Sequence, residues 1–162
     1  MGMNEQEFKK LLTQAVSETI ENMSFMIVDT IGENQPEIKA DDCIKSSLLI
    51  LEPYHGELGL TMQKKLIAKI AAALYGRSEE EITEPMLLDL VAELLNTLTG
   101  NFMRRILPAE FEYKLGLPEC GDHDYLDTGC PPLQCTFAID GQHLIVTAYM
   151  ESFFQDSASD NE

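Results

Sequence analysis

The sequence predicts a single α+β domain in which a largely antiparallel sheet packs against three long helices. Three segments, near residues 5–23, 63–75 and 84–107, carry apolar residues at three- and four-residue steps, the spacing of one buried helix face. Short apolar runs bounded by turn residues lie between and after these segments, as is typical of buried strands. We expect the domain to cover residues 1–155, with a polar tail at 156–162.

The first half of the chain predicts a helix followed by a β-hairpin. An apolar stripe begins near residue 4, and the opposite face of the helix carries Glu, Gln and Lys. Residues 32–42 are polar and begin with turn-forming types, which indicates a surface connection. The apolar runs 43–51 and 57–62 follow, separated by five residues that include Pro and Gly. That spacing suits two antiparallel strands joined by a longer loop.

The two later helices have recognisable ends. In the segment 63–75, four residues are predicted to share one apolar face: Leu66, Ile67, Ile70 and Leu74. Gly76 follows it in the C-cap position, where glycine adopts a left-handed backbone at little cost. Thr83 is predicted to cap the third helix, with Glu84 in its first turn, where a negative charge suits the helix dipole. The third helix should end before Pro108.

Beyond the third helix the pattern changes to strands. A first stretch lies around residues 111–117, and the segment 118–132 is rich in turn residues. Strands are then predicted at 133–139 and 143–150. The Asp140-Gly141 pair between them favours a tight antiparallel hairpin, because both residue types accept the backbone that such a turn requires.

The charge of the chain limits its partners. Its 162 residues carry a formal net charge of −17 at pH 7, which argues against nucleic acid because phosphates are neutralised by Lys and Arg. An anionic membrane surface is disfavoured for the same reason. No apolar run approaches the roughly 20 residues of a spanning helix, and the N-terminus lacks the layout of a signal peptide. We therefore expect a cytoplasmic protein without membrane insertion.

The cysteines allow one alternative to ordinary thiols. There are four, too few for a disulfide scaffold in a chain with this much core: Cys43, Cys120, Cys130 and Cys135. Cys120-x-x-His123 with the two later cysteines can be drawn as a zinc site. The segment lacks paired C-x-x-C steps and is rich in Asp and Gly, so the sequence favours reduced thiols. We predict no metal site.

The third helix carries a polar row opposite its core-facing stripe. Five residues recur on that side at three- and four-residue steps: Asp89, Glu93, Asn96, Gly100 and Arg104. A helix-interior glycine costs about 1 kcal/mol relative to alanine, so we expect some group to approach the backbone closely at Gly100. Taken alone, the Glu93–Asn96 pair favours an ordinary solvated face over a functional site.

The wider string Asp89 to Asn101, DLVAELLNTLTGN, makes the pair more specific. It resembles the signature helix of the CheX/CheC/FliY phosphatase family, in which an acidic residue precedes an E-x-x-N pair and a Gly-Asn step follows. The order of elements over roughly residues 5–152 is also similar to that family. CheC-like members carry two such helices, whereas the first helix here has Glu21 where Asn is needed. One active helix resembles the CheX subgroup and implies a CheX/CheC-like fold.

The resemblance implies a function and its residues. The chain would hydrolyse the aspartyl phosphate of a phosphorylated CheY-like response regulator, with Glu93 and Asn96 catalytic. Asn96 would orient the attacking water, and Glu93 would pair with a lysine beside the phosphorylated aspartate. Asp89, Gly100 and Arg104 lie on the same face of the helix and are candidates to contact the regulator, with a purely solvent-exposed role as the favoured alternative for Asp89 and Arg104. Mg²⁺ is expected in the regulator's own acidic pocket, so the chain needs no cofactor of its own, and a homodimer is expected.

Two other functions remain open at this stage. The first is a non-catalytic adaptor or scaffold on the same fold, which binds a response regulator or a flagellar-switch partner without hydrolysis. The second is an unrelated enzyme, for which the sequence offers little. His55 and His143 are distant from every cysteine, and no glycine-rich phosphate loop of standard spacing is present.

Overall fold

The computed structural model describes residues 3–31, 37–122, 125, 127 and 129–150, and it contains three long helices and one sheet in that part of the chain. The helices are α1 (Glu5–Ser24), α2 (Lys64–Tyr75) and α3 (Glu84–Ile106). The strands are β1 (Asp29–Ile31), β2 (Cys43–Glu52), β3 (Gly56–Gln63), β4 (Lys114–Leu115), β5 (Glu119–Cys120), β6 (Leu133–Ile139) and β7 (Gln142–Met150). The α+β prediction and all three helices are confirmed.

The sheet is antiparallel throughout its described pairs, with strand order β1-β6-β7-β3-β2-β4 and β5 also paired with β2. The predicted hairpin between β6 and β7 is confirmed, since Ile139 lies opposite Gln142 across a two-residue turn. Asp140 and Gly141 adopt φ values of 51° and 75°, the left-handed backbone that this turn needs. The predicted strand around 111–117 is shorter than expected, because only Lys114 and Leu115 pair.

Strand β1 was not predicted from the sequence. It has three residues, which pair with β6 from Asp29↔Ala138 to Ile31↔Thr136. A run this short carries too few positions to show the alternation that identifies a strand. The segment of residues 32–36, which belongs to the predicted surface connection, lies outside the described residues. So do residues 151–162, and the predicted domain boundary at 155 therefore stays a prediction.

The helix ends follow the local sequence with one exception. Asn4 caps α1 by accepting a 2.8 Å hydrogen bond from the Glu7 N–H, which was not predicted. Gly76 ends α2 with φ of 61°, as predicted. Thr83 occupies the N-cap position of α3, but its side chain accepts no capping hydrogen bond among the described residues. That part of the prediction is wrong. Pro85 still suits the first turn, where a missing N–H costs little.

The helices cover one face of the sheet and enclose the core. Alternate side chains of the central strands point into it, including Ile44, Leu48, Ile50, Leu58, Leu60, Met62, Leu144 and Val146. The rings of Phe8 on α1 and Phe102 on α3 meet edge to face, with centroids 5.0 Å apart. Leu74 was predicted to lie on the buried face of α2 but is 41 % exposed, because the last turn of α2 extends past the core.

Candidate functional site

Helix α3 presents one exposed side between its neighbours. Five of its six predicted core-facing residues are buried against α1, α2 and the sheet, and Leu87 is partly buried: Val91, Leu94, Leu95, Leu98 and Phe102 are the buried five. Four of the five residues predicted for the opposite side are exposed: Asp89, Glu93, Asn96 and Arg104. We call these four and Gly100 the α3 row. The row runs for about 22 Å along the helix at 1.5 Å per residue.

Glu93 and Asn96 stand next to each other in the row, as predicted. Both side chains are exposed and lie one turn apart, so their Cβ atoms are about 5–6 Å from each other. Among the described residues, neither side chain has a hydrogen bond or an ion pair. The carboxylate and the amide are therefore both free to bind groups of another molecule.

Gly100 is buried, and the side chain next to its backbone is that of Tyr113. A Cβ atom built on Gly100 would lie 3.4 Å from the hydroxyl oxygen of Tyr113, so the phenol ring end lies over the helix backbone. Sequence reasoning missed Tyr113, because a helix-interior glycine can indicate a close neighbour but does not identify that residue. The approaching group belongs to this chain, and a direct partner contact at Gly100 stays a prediction.

A second residue that sequence reasoning passed over is Asn101, which links α3 to α1. Its Nδ2 donates a 2.9 Å hydrogen bond to Thr19 Oγ1 on α1, and its Oδ1 accepts from the guanidinium of Arg104. The Gly-Asn step of the quoted string was the available signal. In the structure, its glycine lies beside Tyr113 and its asparagine joins two helices.

Helix α1 uses its acidic residues differently. Glu18 forms an ion pair with Arg105 of α3, so that carboxylate is already bound within the chain. Glu21 and Asn22 are exposed but adjacent, and adjacent residues on a helix are turned by about 100° from each other. They cannot present a carboxylate and an amide on one row.

The cysteines drawn as a possible zinc site are spread across the sheet. Cys120 on β5 and Cys135 on β6 are separated by the strands β2, β3 and β7. Four inter-strand steps correspond to about 19 Å, far beyond the reach of a shared ion. Burial raises the pKa of the Cys135 thiol, which also disfavours the thiolate that zinc requires. His123 lies outside the described residues.

A cleft of about 260 Å³ opens at the N-terminal end of α3, away from the row. Its charged lining residues are balanced in sign: Lys45, Lys64, Glu84 and Asp122. Lys45 and Asp122 form an ion pair at 3.4 Å. The cleft shares no lining residue with the α3 row, and its neutralised charge gives no preference for a phosphate. The exposed carboxylate–amide pair therefore remains the better candidate site.

Solved structures share the fold of this chain. The chain is similar to the chemotaxis protein CheX from Vibrio vulnificus, with 16 % identity, a TM-score of 0.69 and coverage of 90 % of this chain and 99 % of that one. A CheC-like superfamily protein from Shewanella sp. PV-4 has 20 % identity, a TM-score of 0.67 and coverage of 92 % and 99 %.

A third similar structure is the CheX–CheY–BeF3–Mg²⁺ complex from Borrelia burgdorferi, with 17 % identity, a TM-score of 0.65 and coverage of 89 % and 97 %. At these identities the likeness shows the fold. A comparison with curated proteins gives no match. Within the described residues, no helix is long and apolar enough to cross a membrane.

The fold and the row together define an α+β domain that offers a carboxylate and an amide on one exposed helix. Residues 49–139, more than half of the chain, match the family model described as chemotaxis phosphatase CheX. The chain therefore belongs to the CheX family, as the quoted string on α3 predicted.

Proposed function

We propose that this chain accelerates the hydrolysis of the aspartyl phosphate of a CheY-like response regulator. The observation that carries the proposal is the free, exposed Glu93–Asn96 pair on α3 of a CheX family member. The similar complex of CheX with CheY supports a response regulator as the partner. Asp89 and Arg104 lie on the same row and would contact the regulator beside the reacting groups.

The chemistry suits these two side chains. Hydrolysis of an acyl phosphate needs an in-line water and stabilisation of spread negative charge, with little covalent help from the protein. The amide of Asn96 offers a donor and an acceptor, which can hold a water in one orientation. The carboxylate of Glu93 would pair with a lysine beside the phosphorylated aspartate and so bring Asn96 over the phosphorus. Mg²⁺ would belong to the regulator, and this chain would supply no metal.

The charge of the chain sets a requirement on that partner. With a formal net charge of −17, it repels a phosphorylated acidic surface at long range. Docking therefore depends on local cations of the regulator that meet Asp89 and Glu93. Such local pairs orient two proteins more than they add affinity. Salt screens both the long-range repulsion and the exposed local pairs, so it acts on binding in opposite directions.

The proposal includes a homodimer in the cytoplasm. CheX-like proteins often pair, and a sheet edge gains from being covered by a second copy. Light scattering at tens of micromolar tests the pairing, and the mass of a single chain would contradict it.

The function is tested by adding the protein to phosphorylated response regulators from its source organism and following phosphate release. A saturable acceleration by the wild-type chain, absent for Asn96→Ala, would support the enzyme. Tight binding without any acceleration would overturn it in favour of the adaptor function. Absence of both binding and acceleration with every regulator would remove the response regulator as partner.

A further inference from the structure

We propose that Thr19 and Asn101 hold the guanidinium of Arg104 in a fixed position, from which it recognises a carboxylate on the partner. Arg104 would then select the partner, and Thr19 and Asn101 would be positioning residues that never touch it. The inference rests on the proposed function, because it assigns a second contact to the same docking surface. The proposed function rests on Glu93 and Asn96, whereas this inference assigns selection of the partner to Arg104 and its two positioning residues.

The directions of the hydrogen bonds in this group are fixed. Thr19 is buried, and its hydroxyl donates to the carbonyl oxygen of Ala15 at 2.8 Å. A threonine has one hydroxyl hydrogen, so its oxygen can only accept from the Asn101 amide, as it does from Nδ2 at 2.9 Å. The amide nitrogen of Asn101 therefore faces α1 and its oxygen faces outward. That oxygen accepts the hydrogen bond from Arg104.

Arg104 is thereby hydrogen-bonded but not neutralised. Within the described residues it has no carboxylate partner, whereas the neighbouring Arg105 is paired with Glu18. Fixing a free arginine side chain costs rotamer entropy. A guanidinium that the chain already holds loses less of this freedom on binding. Arg104 would therefore bind the partner with an unpaired charge and with less side-chain freedom left to lose.

The row consequently has opposite charges toward its two ends. Glu93 and Arg104 are eleven residues apart, or about 16 Å along the helix axis. A matching partner surface presents a cation to Glu93 and a carboxylate to Arg104 at that separation. A guanidinium binds a carboxylate through two parallel N–H bonds, which makes the contact sensitive to orientation. That sensitivity gives a reason for holding the side chain in place.

A purely structural role makes a different prediction. Arg104 lies in the last turn of α3, where a cation suits the helix dipole, and the Thr19–Asn101 bond joins two helices. If these were the only roles, loss of the Thr19 hydroxyl would affect binding equally with and without Arg104. If Thr19 acts through Arg104, its loss matters only while Arg104 is present.

A double-mutant cycle separates the two roles. Thr19→Val, Arg104→Ala and the double variant are made in an Asn96→Ala background, where this chain should consume the phosphorylated regulator about a hundredfold more slowly, and Kd is measured. We expect Arg104→Ala to weaken binding about fivefold and Thr19→Val about threefold, with no further loss in the double variant. Equal weakening by Thr19→Val in both backgrounds, or none in either, would overturn the proposal.

Thr99→Val is the matched control. Thr99 is also buried, and its hydroxyl donates to the carbonyl oxygen four residues earlier, Leu95, at 2.7 Å. It has no bond to Asn101, so its loss should leave Kd unchanged. A change in Kd as large as that of Thr19→Val would assign both effects to helix packing and overturn the proposal.

A measurement on the free protein distinguishes failure of this proposal from failure of the proposed function. Nitrogen-15 relaxation reports the mobility of the Arg104 guanidinium without any partner. We expect mobility to rise in Thr19→Val and to stay at the wild-type value in Thr99→Val. Unchanged mobility in Thr19→Val overturns the positioning role. If mobility of the Arg104 guanidinium rises in Thr19→Val but the wild-type chain binds no regulator, the positioning role stands and the response regulator is ruled out as the partner.

Discussion

Helices α1 and α3 pack against each other over the same sheet, yet among the described residues the exposed E-x-x-N pair lies on α3. On α1, Glu18 is bound to Arg105, and Glu21 and Asn22 point in different directions. On α3, Glu93 and Asn96 share a side and remain unbound among the described residues. Both helices are acidic and amphipathic, so composition does not separate them. The two helices differ in the spacing of their carboxylate and amide side chains, and in whether the carboxylate is already paired within the chain.

The largest expected effect is the loss of the amide at Asn96. Asn96→Ala should lower the rate of phosphate release about a hundredfold, by analogy with removal of one preorganised hydrogen-bond donor. Binding should change little, because the amide acts on a water in the transition state. Single-turnover rates and Kd of the phosphorylated regulator measure the two effects. Equal rates for wild type and variant would contradict the catalytic role.

The matched control lies on α1. Glu21→Asn creates a second E-x-x-N, which begins at Glu18, on a helix of the same domain. We expect no gain in rate, because the Glu18 carboxylate is already paired with Arg105. Glu21→Ala should also be silent. A twofold gain in the Glu21→Asn variant, or residual activity that depends on it in Asn96→Ala, would show that spacing alone makes a site.

The next effect in size belongs to the carboxylate. Glu93→Ala should weaken binding about tenfold, because the regulator's lysine would be left unpaired in the interface. The catalytic rate should fall as well, since Asn96 is then held less firmly over the phosphate. Glu93→Gln keeps the shape of the side chain and should recover the rate only in part. Unaltered Kd in Glu93→Ala at low salt would argue against the cross-interface pair.

The smallest effect is expected at Gly100. Gly100→Ala should raise the free energy of unfolding by up to about 1 kcal/mol, because alanine favours the helix. The added methyl lies 3.4 Å from the Tyr113 oxygen, an ordinary contact, so Kd should change less than twofold. Urea unfolding and Kd test the two parts. A tenfold loss of affinity in a more stable variant would show that the partner's own atoms reach Gly100.

Much of the architecture could be predicted because the buried patterns are long. The helices, the β2–β3 pair and the Asp140-Gly141 hairpin each repeat a simple period or contain a specific turn. The three residues of β1 and the exposure of Leu74 could not, since both depend on where distant elements end. Local periodicity in the sequence cannot predict where such distant elements lie relative to each other.

The candidate site divides in the same way. Glu93 and Asn96 were predicted because a helix converts three-residue spacing into adjacency. Tyr113, thirteen residues beyond Gly100, and Thr19, on another helix, reach the row only through the fold. Their sequence neighbourhoods show no signal of function. Residues that shape a site from outside its motif must be read from the structure.

The contact between Tyr113 and Gly100 has a consequence for how the family can vary. The row is built partly by the chain that returns after Pro108, so two separate stretches of sequence must remain compatible. A side chain larger than alanine at position 100 would compete with the ring for the same space. Among relatives, we therefore expect the size of residue 100 and the presence of an aromatic ring at residue 113 to vary together, as a coupled pair of substitutions.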